Sequence, residues 1–182
     1  MEVLTVLDEG GNPTGQGIDR KDAHRQGILH GAVHIFIYRE HRDAMEVLLQ
    51  RRSPNKDSFP NCLDISSAGH MEFGMDFFQT ARKELEEELG IQVDDLRPVF
   101  RRRSSNITLQ NGEIFNDQEI AEVYLLRMDD LELSKLRLQA EEVSEVLWAE
   151  LDTVCTRLEK GDGELCLDPE EFRQVAQLMT CE

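Results

Sequence analysis

The segment from Gly69 to Ile91, which reads GHMEFGMDFFQTARKELEEELGI, constrains the fold of this chain more than any other. Asp76 and Gln79 have the spacing of a capping box, and Gly90 is the type of residue that follows a last helical turn. We therefore predict a helix from about Phe77 to Leu89. An apolar stripe recurs along this helix at helical spacing, formed by Phe78, Ala81, Leu85 and Leu89.

Three glutamates occupy a second face of the predicted helix, because Glu84, Glu87 and Glu88 stand at positions i, i+3 and i+4. Like charges at this spacing repel by roughly 0.2–0.5 kcal/mol, and carboxylates near a helix C-terminus oppose the helix dipole. A solvated acidic face is the alternative interpretation. Mg²⁺ and Mn²⁺ prefer oxygen ligands and would remove both unfavourable terms, so the pattern favours a divalent-metal site.

The segment resembles the Nudix box, whose pattern is Gly, five residues, Glu, seven residues, Arg-Glu-apolar, one residue, Glu-Glu, one residue and Gly-apolar. The positions that match in register are Gly69, Glu84, Leu85, Glu87, Glu88, Gly90 and Ile91. Two positions differ. Met75 stands where the family has its first Glu, and Lys83 stands where it has Arg, so one carboxylate and one bidentate fork are missing. The resemblance implies binding of Mg²⁺ or Mn²⁺ by Glu84, Glu87, Glu88 and Gly69.

The resemblance covers most of the chain and implies an α/β fold, a Nudix-type α/β/α sandwich with a mixed, curved central sheet and the box as its loop-helix catalytic element. We expect a single domain over residues 1–182, because no repeat, low-complexity tract or long linker divides the sequence. Sequence patterns predict strands at residues 2–7, 32–38, 46–49, 91–93, 97–103, 120–127 and 144–149, the second paired with the third. Capping signals predict further helices at residues 151–159 and 169–179.

Composition limits the functions that the chain can have. The 37 acidic residues outnumber the 20 basic ones, and the net charge of -17 argues against general binding to nucleic acid or anionic membranes. No apolar run approaches the length needed to span a membrane, and early acidic residues spoil a signal peptide, so we expect a cytoplasmic protein. The cysteines lack zinc-type spacing, and we expect free thiols at Cys62, Cys155, Cys166 and Cys181. The sequence leaves the oligomeric state open, a homodimer included.

A second group of candidate residues lies mostly outside the box: His24, His30, His70, Asp117 and Glu119. Each residue alone would be ordinary on a surface or in a core. Together they resemble one Nudix branch, the isopentenyl-diphosphate isomerases and their hydrolase relatives, in which matching histidines and two acids hold a metal. In that branch an Arg and a Lys before the box bind diphosphate, and Arg52 and Lys56 match them. A guanidinium and an ammonium suit this task because they neutralise phosphate oxygens.

Two positions argue against the isomerase reaction itself. The catalytic Cys of the isomerases corresponds to Ala68, and their catalytic Tyr aligns with Arg102. Isomerisation needs an acid and a base on opposite faces of an alkene, and Ala68 can be neither. The sequence therefore favours a metal-dependent hydrolase acting on a small-molecule diphosphate, with Glu119 as general base and Glu84 as the competing candidate.

Two alternatives stay open: an isomerase of allylic diphosphates, and a non-catalytic sensor of a nucleotide or diphosphate. The organic part of the substrate is not determined by the sequence. Four aromatic residues could stack on a nucleobase or fill the core, and the core is favoured for each of Phe59, Phe73, Phe77 and Tyr124.

Overall fold

The computed structural model describes residues 2–56, 58–110 and 112–181. Within these residues, nine strands belong to one mixed sheet that does not close, and four α-helices accompany it, so the predicted α/β class is confirmed. The strands are β1 (Val3–Leu7), β2 (Pro13–Asp19), β3 (His30–His41), β4 (Ala44–Arg52), β5 (Leu63–Asp64), β6 (Ser67–His70), β7 (Pro98–Gln110), β8 (Glu113–Arg127) and β9 (Val143–Glu150). The helices are α1 (Arg20–Gln26), α2 (Phe77–Glu84), α3 (Leu151–Glu159) and α4 (Pro169–Met179).

The chain divides into two compact units. The first contains the N-terminal residues as far as His34, together with Ala68–Lys83 and Arg97–Tyr124. Within it β7 and β8 form a long antiparallel hairpin, in which Asp117 lies opposite Asn106 and Glu119 lies opposite Ser104. Because side chains two residues apart share a face of a strand, Asp117 and Glu119 point to the same side.

The second unit contains Ile35–Ser67, Glu84–Leu96 and the residues from Leu125 onward. The predicted pairing of β3 with β4 is confirmed, with Tyr38 opposite Val47. β4 also pairs antiparallel with β9, and this register places Arg52 opposite Val143. α4 packs on the sheet through Phe172, whose ring centroid lies 6.2 Å from that of Phe36. A buried sheet therefore carries Arg52 at the end of β4.

The helix that follows Asp76 begins as predicted. The Gln79 N–H donates to Asp76 Oδ1 at 2.7 Å, and the Asp76 N–H donates to Gln79 Oε1 at 3.1 Å, which completes the capping box. Gly90 ends the helical segment in the left-handed conformation, with φ of 71°.

The last turn of this helix differs from the prediction. Leu85–Leu89 forms a π-helical turn rather than a continuation of the α-helix. A π turn is wider than an α turn and is often found at functional sites. The apolar stripe also shifts, because Phe77 is buried while Phe78 is only partly buried.

The observed bounds of the other helices and strands agree with the predicted bounds in some cases and differ in others. The helices predicted at residues 151–159 and 169–179 are confirmed as α3 and α4. The strand predicted at 91–93 is wrong, because the chain turns at Gly90 and continues as an irregular loop to β7. β7 and β8 are longer than predicted, and α1 and β2 were not predicted.

The burial of the aromatic residues agrees only in part with the prediction, and the state of the cysteines agrees with it. Phe77 and Tyr124 lie in the core as expected, but Phe59 and Phe73 are 53% and 52% exposed, so the core assignment is wrong for these two. The four cysteines are free thiols, as predicted. Within the described residues, no helix combines the length and apolarity that crossing a membrane requires.

Candidate active site

The three box glutamates differ in their exposure. Glu84 is partly buried, Glu87 is exposed, and Glu88 is only 4% exposed. Glu84 ends α2, and the other two lie on the π turn. A loop covers the end of this turn, where the Gln139 N–H donates to the Glu88 carbonyl oxygen at 3.1 Å. The fold therefore buries one of the three carboxylates deeply.

The surroundings of Glu88 disfavour its negative charge. Burial raises the pKa of the Glu88 carboxyl to about 8, and the negative charges of Glu84 and Glu142 add to the increase. The hydroxyl of Ser67 and the ammonium of Lys56 act in the opposite direction. A buried carboxyl beside another carboxylate is a suitable ligand for a hard cation, because the cation would restore the ionised form. The residues therefore fit a divalent metal.

The two cations assigned to the diphosphate lie in the same unit as Glu88. Arg52 donates from Nη1 to Asp64 Oδ2 at 2.8 Å and from Nε to the Ser58 carbonyl oxygen at 3.0 Å. The Lys56 ammonium forms an ion pair with the Glu142 carboxylate. Both cations therefore have defined acidic partners outside the box.

The second candidate group comes together in the first unit. The ring centroids of His24, His30 and His70 lie between 5.1 and 5.3 Å from one another. Together with Asp117 each offers a ligand atom, and these four atoms lie within 4.8 Å of one another. Glu119 is adjacent, with Oε1 at 3.1 Å from His70 Nε2. The structure thus brings all five predicted residues together. We call this group the histidine cluster.

The polar atoms at the centre of the histidine cluster fit a metal ion. His30 Nδ1 donates to the Ile28 carbonyl oxygen at 2.8 Å, so in the neutral ring Nε2 presents a lone pair. This Nε2 atom lies 3.3 Å from Asp117 Oδ1. Among the described residues, neither atom has an aligned hydrogen-bond partner, and the same holds for His24 Nε2. Buried polar atoms without hydrogen-bond partners are energetically costly. A cation bound by His24 Nε2, His30 Nε2 and Asp117 Oδ1 would satisfy these three atoms.

Local structure explains how these side chains are placed. His24 lies on α1, which begins where the Asp19 carboxylate accepts from the Lys21 N–H at 2.9 Å. α1 ends at Gly27 with φ of 65°, where a Cβ atom would collide with the Asn116 side chain. Glycine at this position therefore allows the end of α1 to approach the strand that carries Asp117.

The charges of the histidine cluster offset each other. Burial lowers the pKa of His24. Burial also opposes protonation of His30, but the nearby Asp117 and the Ile28 carbonyl raise its pKa overall. Burial would raise the pKa of Glu119, yet contact with His70 lowers it. The cluster therefore contains its own counter-charges.

Three other box positions have defined places. Gly69 lies in β6 beside His70, in the first unit. Met75 is partly buried, and its N–H donates to the Glu72 carbonyl oxygen at 3.0 Å. The Lys83 ammonium lies 3.3 Å from Glu72 Oε1. The Lys in place of Arg therefore has an acidic partner in the loop before the helix.

Sequence reasoning missed Asp64 and Glu142, the partners of Arg52 and Lys56. Asp64 follows Arg52 by twelve residues and Glu142 follows Lys56 by eighty-six. Neither spacing is a local signal. The pairing of β4 with β5 and β9 brings these residues together.

The family profile described as NUDIX domain matches residues 28–168, so the chain belongs to the Nudix family. Nudix hydrolase 3 from Arabidopsis thaliana is 37% identical over 164 residues, covering 88% of this chain. The chain spans only 21% of the length of that relative. Isopentenyl-diphosphate Delta-isomerase from Pectobacterium atrosepticum is 27% identical over 175 residues, covering 96% of this chain and 87% of the isomerase.

Among solved structures, the crystal structure of DR0079 from Deinococcus radiodurans superposes with a TM-score of 0.69 and 24% identity. The match covers 95% of this chain and 98% of that one, and it supports the fold alone. The family profile and the two relatives confirm the predicted resemblance to Nudix hydrolases and to isopentenyl-diphosphate isomerases. Members of the family act on nucleoside diphosphate derivatives, cleave pyrophosphate bonds and generally use divalent metal ions.

Proposed function

We propose that this chain is a Mg²⁺- or Mn²⁺-dependent hydrolase that cleaves the diphosphate linkage of a small organic molecule. The proposal rests mainly on the groups that surround the Glu88 carboxyl. A buried carboxyl, a second box glutamate and the Lys56 ammonium act on one another there, in the same unit as Arg52. Acids for a metal and cations for phosphate are the two kinds of group that this reaction needs.

We assign separate tasks to the metal ligands and to the diphosphate-binding residues. Glu84, Glu87 and Glu88 would hold the metal, with Gly69 as a further ligand, and the bound metal would polarise the phosphate oxygens and lower the pKa of water. Arg52 and Lys56 would bind the diphosphate and orient it for in-line attack.

Glu119 is the first candidate for the general base and Glu84 the second. If Glu119 is the base, Glu119→Gln should flatten the acidic limb of the pH–rate profile more than Glu84→Gln does.

The histidine cluster would hold a separate ion. Imidazole ligands favour Mn²⁺, Zn²⁺ or Fe²⁺ over Mg²⁺, so a transition metal would suit this cluster. Buried atoms of His24, His30 and Asp117, which have no aligned hydrogen-bond partner within the described part of the chain, support the assignment. Phe115 covers the cluster, with its ring centroid 4.5 Å from that of His24.

A screen of nucleoside diphosphates, dinucleotides, nucleotide sugars and prenyl diphosphates with Mg²⁺ and Mn²⁺ tests the function. We expect hydrolysis of at least one substrate, abolished by EDTA and restored by metal. Incubation with isopentenyl diphosphate should yield no dimethylallyl diphosphate, because Ala68 cannot act as an acid. Tight binding of a compound without turnover would instead support a sensor and contradict the proposal.

A further inference from the structure

Arg52 and Lys56 each have a carboxylate partner whose function is not yet explained. Both side chains of the Arg52–Asp64 pair are 17% exposed, so this pair is more sheltered than a typical surface ion pair. Asp64 is itself fixed, because its Oδ1 accepts from the Ile65 N–H at 2.8 Å. The carboxylate therefore fixes the orientation of the guanidinium.

Contacts within the protein account for part of the hydrogen-bonding capacity of Arg52. A guanidinium has five N–H donors. Among the contacts of the described residues, one donor goes to Asp64 and one to the Ser58 carbonyl oxygen. These two contacts fix the plane of the guanidinium, and its other N–H groups could bind phosphate oxygens as a fork.

Lys56 is held in a comparable way. Its ammonium contacts Glu142, and the Glu142 carbonyl oxygen accepts from the Ser53 N–H at 2.8 Å. Ser53 in turn accepts through its carbonyl oxygen from the Lys56 N–H at 3.2 Å. Both ends of the ion pair are therefore joined through the backbone as well. An ammonium has three donors, so contact with Glu142 leaves capacity for a diphosphate.

We propose that Asp64 and Glu142 are positioning residues of the diphosphate site, Asp64 acting through Arg52 and Glu142 acting through Lys56. The inference rests on the proposed function. Long basic side chains lose rotamer freedom when they bind a ligand, and a partner that holds them in place reduces this cost. The carboxylates also repel an anionic ligand, but each is neutralised by its own cation.

The test compares Asp64→Asn and Glu142→Gln with the parent protein in Mg²⁺. Binding of methylenediphosphonate, a diphosphate analogue that cannot be hydrolysed, is measured by calorimetry, and kcat and KM are measured on the best substrate of the screen. We expect Kd and KM to rise about 5- to 20-fold while kcat changes less than about 3-fold, as expected for lost preorganisation of binding. Glu142→Asp should lie between the parent and Glu142→Gln.

Glu145→Gln is the matched control, because Glu145 pairs with the neighbouring Arg51 at 3.2 Å and has no assigned part in the site. This variant should behave like the parent. Thermal melting of each variant confirms that it is folded.

Double mutants separate a positioning function from a general structural one. Asp64→Asn should add nothing in an Arg52→Ala background. Glu142→Gln should not weaken binding further in a Lys56→Ala background, where its only remaining effect is to remove a negative charge near Glu88. The crossed pairs should be additive. Unchanged or tighter binding in the single variants would overturn the inference, as would additivity within each pair. If the parent protein neither binds the analogue nor hydrolyses any substrate, the proposed function fails instead.

Discussion

The box glutamates and the histidine cluster both bury carboxylates, but they balance charge differently. Glu88 lies near Glu84 and Glu142, and its pKa is raised to about 8. Glu119 is partly buried, and the neighbouring histidines lower its pKa. Glu88 therefore needs an added cation to be ionised at neutral pH, whereas the imidazoles beside Glu119 already favour its ionised form.

This difference indicates two kinds of metal affinity. An acidic group that repels its own charge suits a hard ion such as Mg²⁺, which can exchange together with the substrate. A group of three imidazoles with an acid suits a softer ion that stays bound. The two groups should therefore respond to different metals and to different substitutions.

The largest effect should come from the box glutamates. We expect Glu87→Gln or Glu88→Gln to reduce turnover by at least ~10²-fold, because each would remove a charged metal ligand. Glu86→Gln is the matched control, since Glu86 is exposed and its carboxylate accepts from the Gln92 side-chain amide at 2.6 Å. Full activity of Glu88→Gln at saturating Mg²⁺ would contradict the metal assignment.

The histidine cluster should respond to a different substitution. His30→Asn should lower the affinity for Mn²⁺ or Zn²⁺ at this cluster by ~10- to 100-fold and leave Mg²⁺ binding at the box unchanged. In the parent protein the affinity should fall as the pH drops, because imidazole must be deprotonated to bind metal, and the raised pKa of His30 should make this fall begin above ~6.5. His41→Asn, at an exposed position, is the control for both measurements. Equal loss at both groups would show that they are not independent.

Stability of the metal-free protein should also distinguish the two groups. The pKa of Glu88 in the folded state is about 8, above the ordinary value of 4.5. The unfolded chain releases this proton first, so the metal-free fold should lose stability as the pH rises from about 4.5 to about 8. Glu88→Gln should remove this loss and stabilise the metal-free protein at pH 8 by several kcal/mol, since each pKa unit contributes roughly 1.4 kcal/mol.

Thermal melting at pH 5 and pH 8 measures this effect. The advantage of Glu88→Gln should be larger at pH 8 and should shrink when Mg²⁺ is added to both proteins. An equal difference at both pH values would mean that Glu88 is not protonated in the metal-free fold.

The smallest effect should come from restoring the missing acid of the box. Met75→Glu should raise metal affinity or turnover by about 2- to 5-fold, because it adds a carboxylate at the start of the helix. Met75→Gln is the matched control without the charge. Equal activity of the two variants would mean that the charge is not the missing element.

The sequence predicted the parts of this molecule that depend on local chemistry. The capping box at Asp76 and Gln79 and the cap of α4 at Asp168 were both predicted, because their hydrogen bonds join residues a few positions apart. The five residues of the histidine cluster were grouped through resemblance to a family branch. Their spacing alone would not have grouped them.

The features that were missed depend on tertiary packing. The π turn at Leu85–Leu89 has no sequence signal, and it accompanies the burial of Glu88 and the exposure of Glu87. Asp64 and Glu142 reach their partners only through the register of the sheet. α1 is an exception, since Asp19 and Gly27 are ordinary start and stop signals that could have been recognised. The single-domain assignment and the roles of the site residues stay predictions.

Anomalous scattering from crystals of the protein loaded with Mn²⁺ tests the two-site account most directly. We predict two separate Mn²⁺ peaks, one coordinated by Glu84, Glu87 and Glu88 and one coordinated by His24, His30, His70 and Asp117, with ligand bonds near ~2.1 Å. Soaking with excess Mg²⁺ should remove the first peak and leave the second. A single shared peak, or no peak among the box glutamates, would contradict the account.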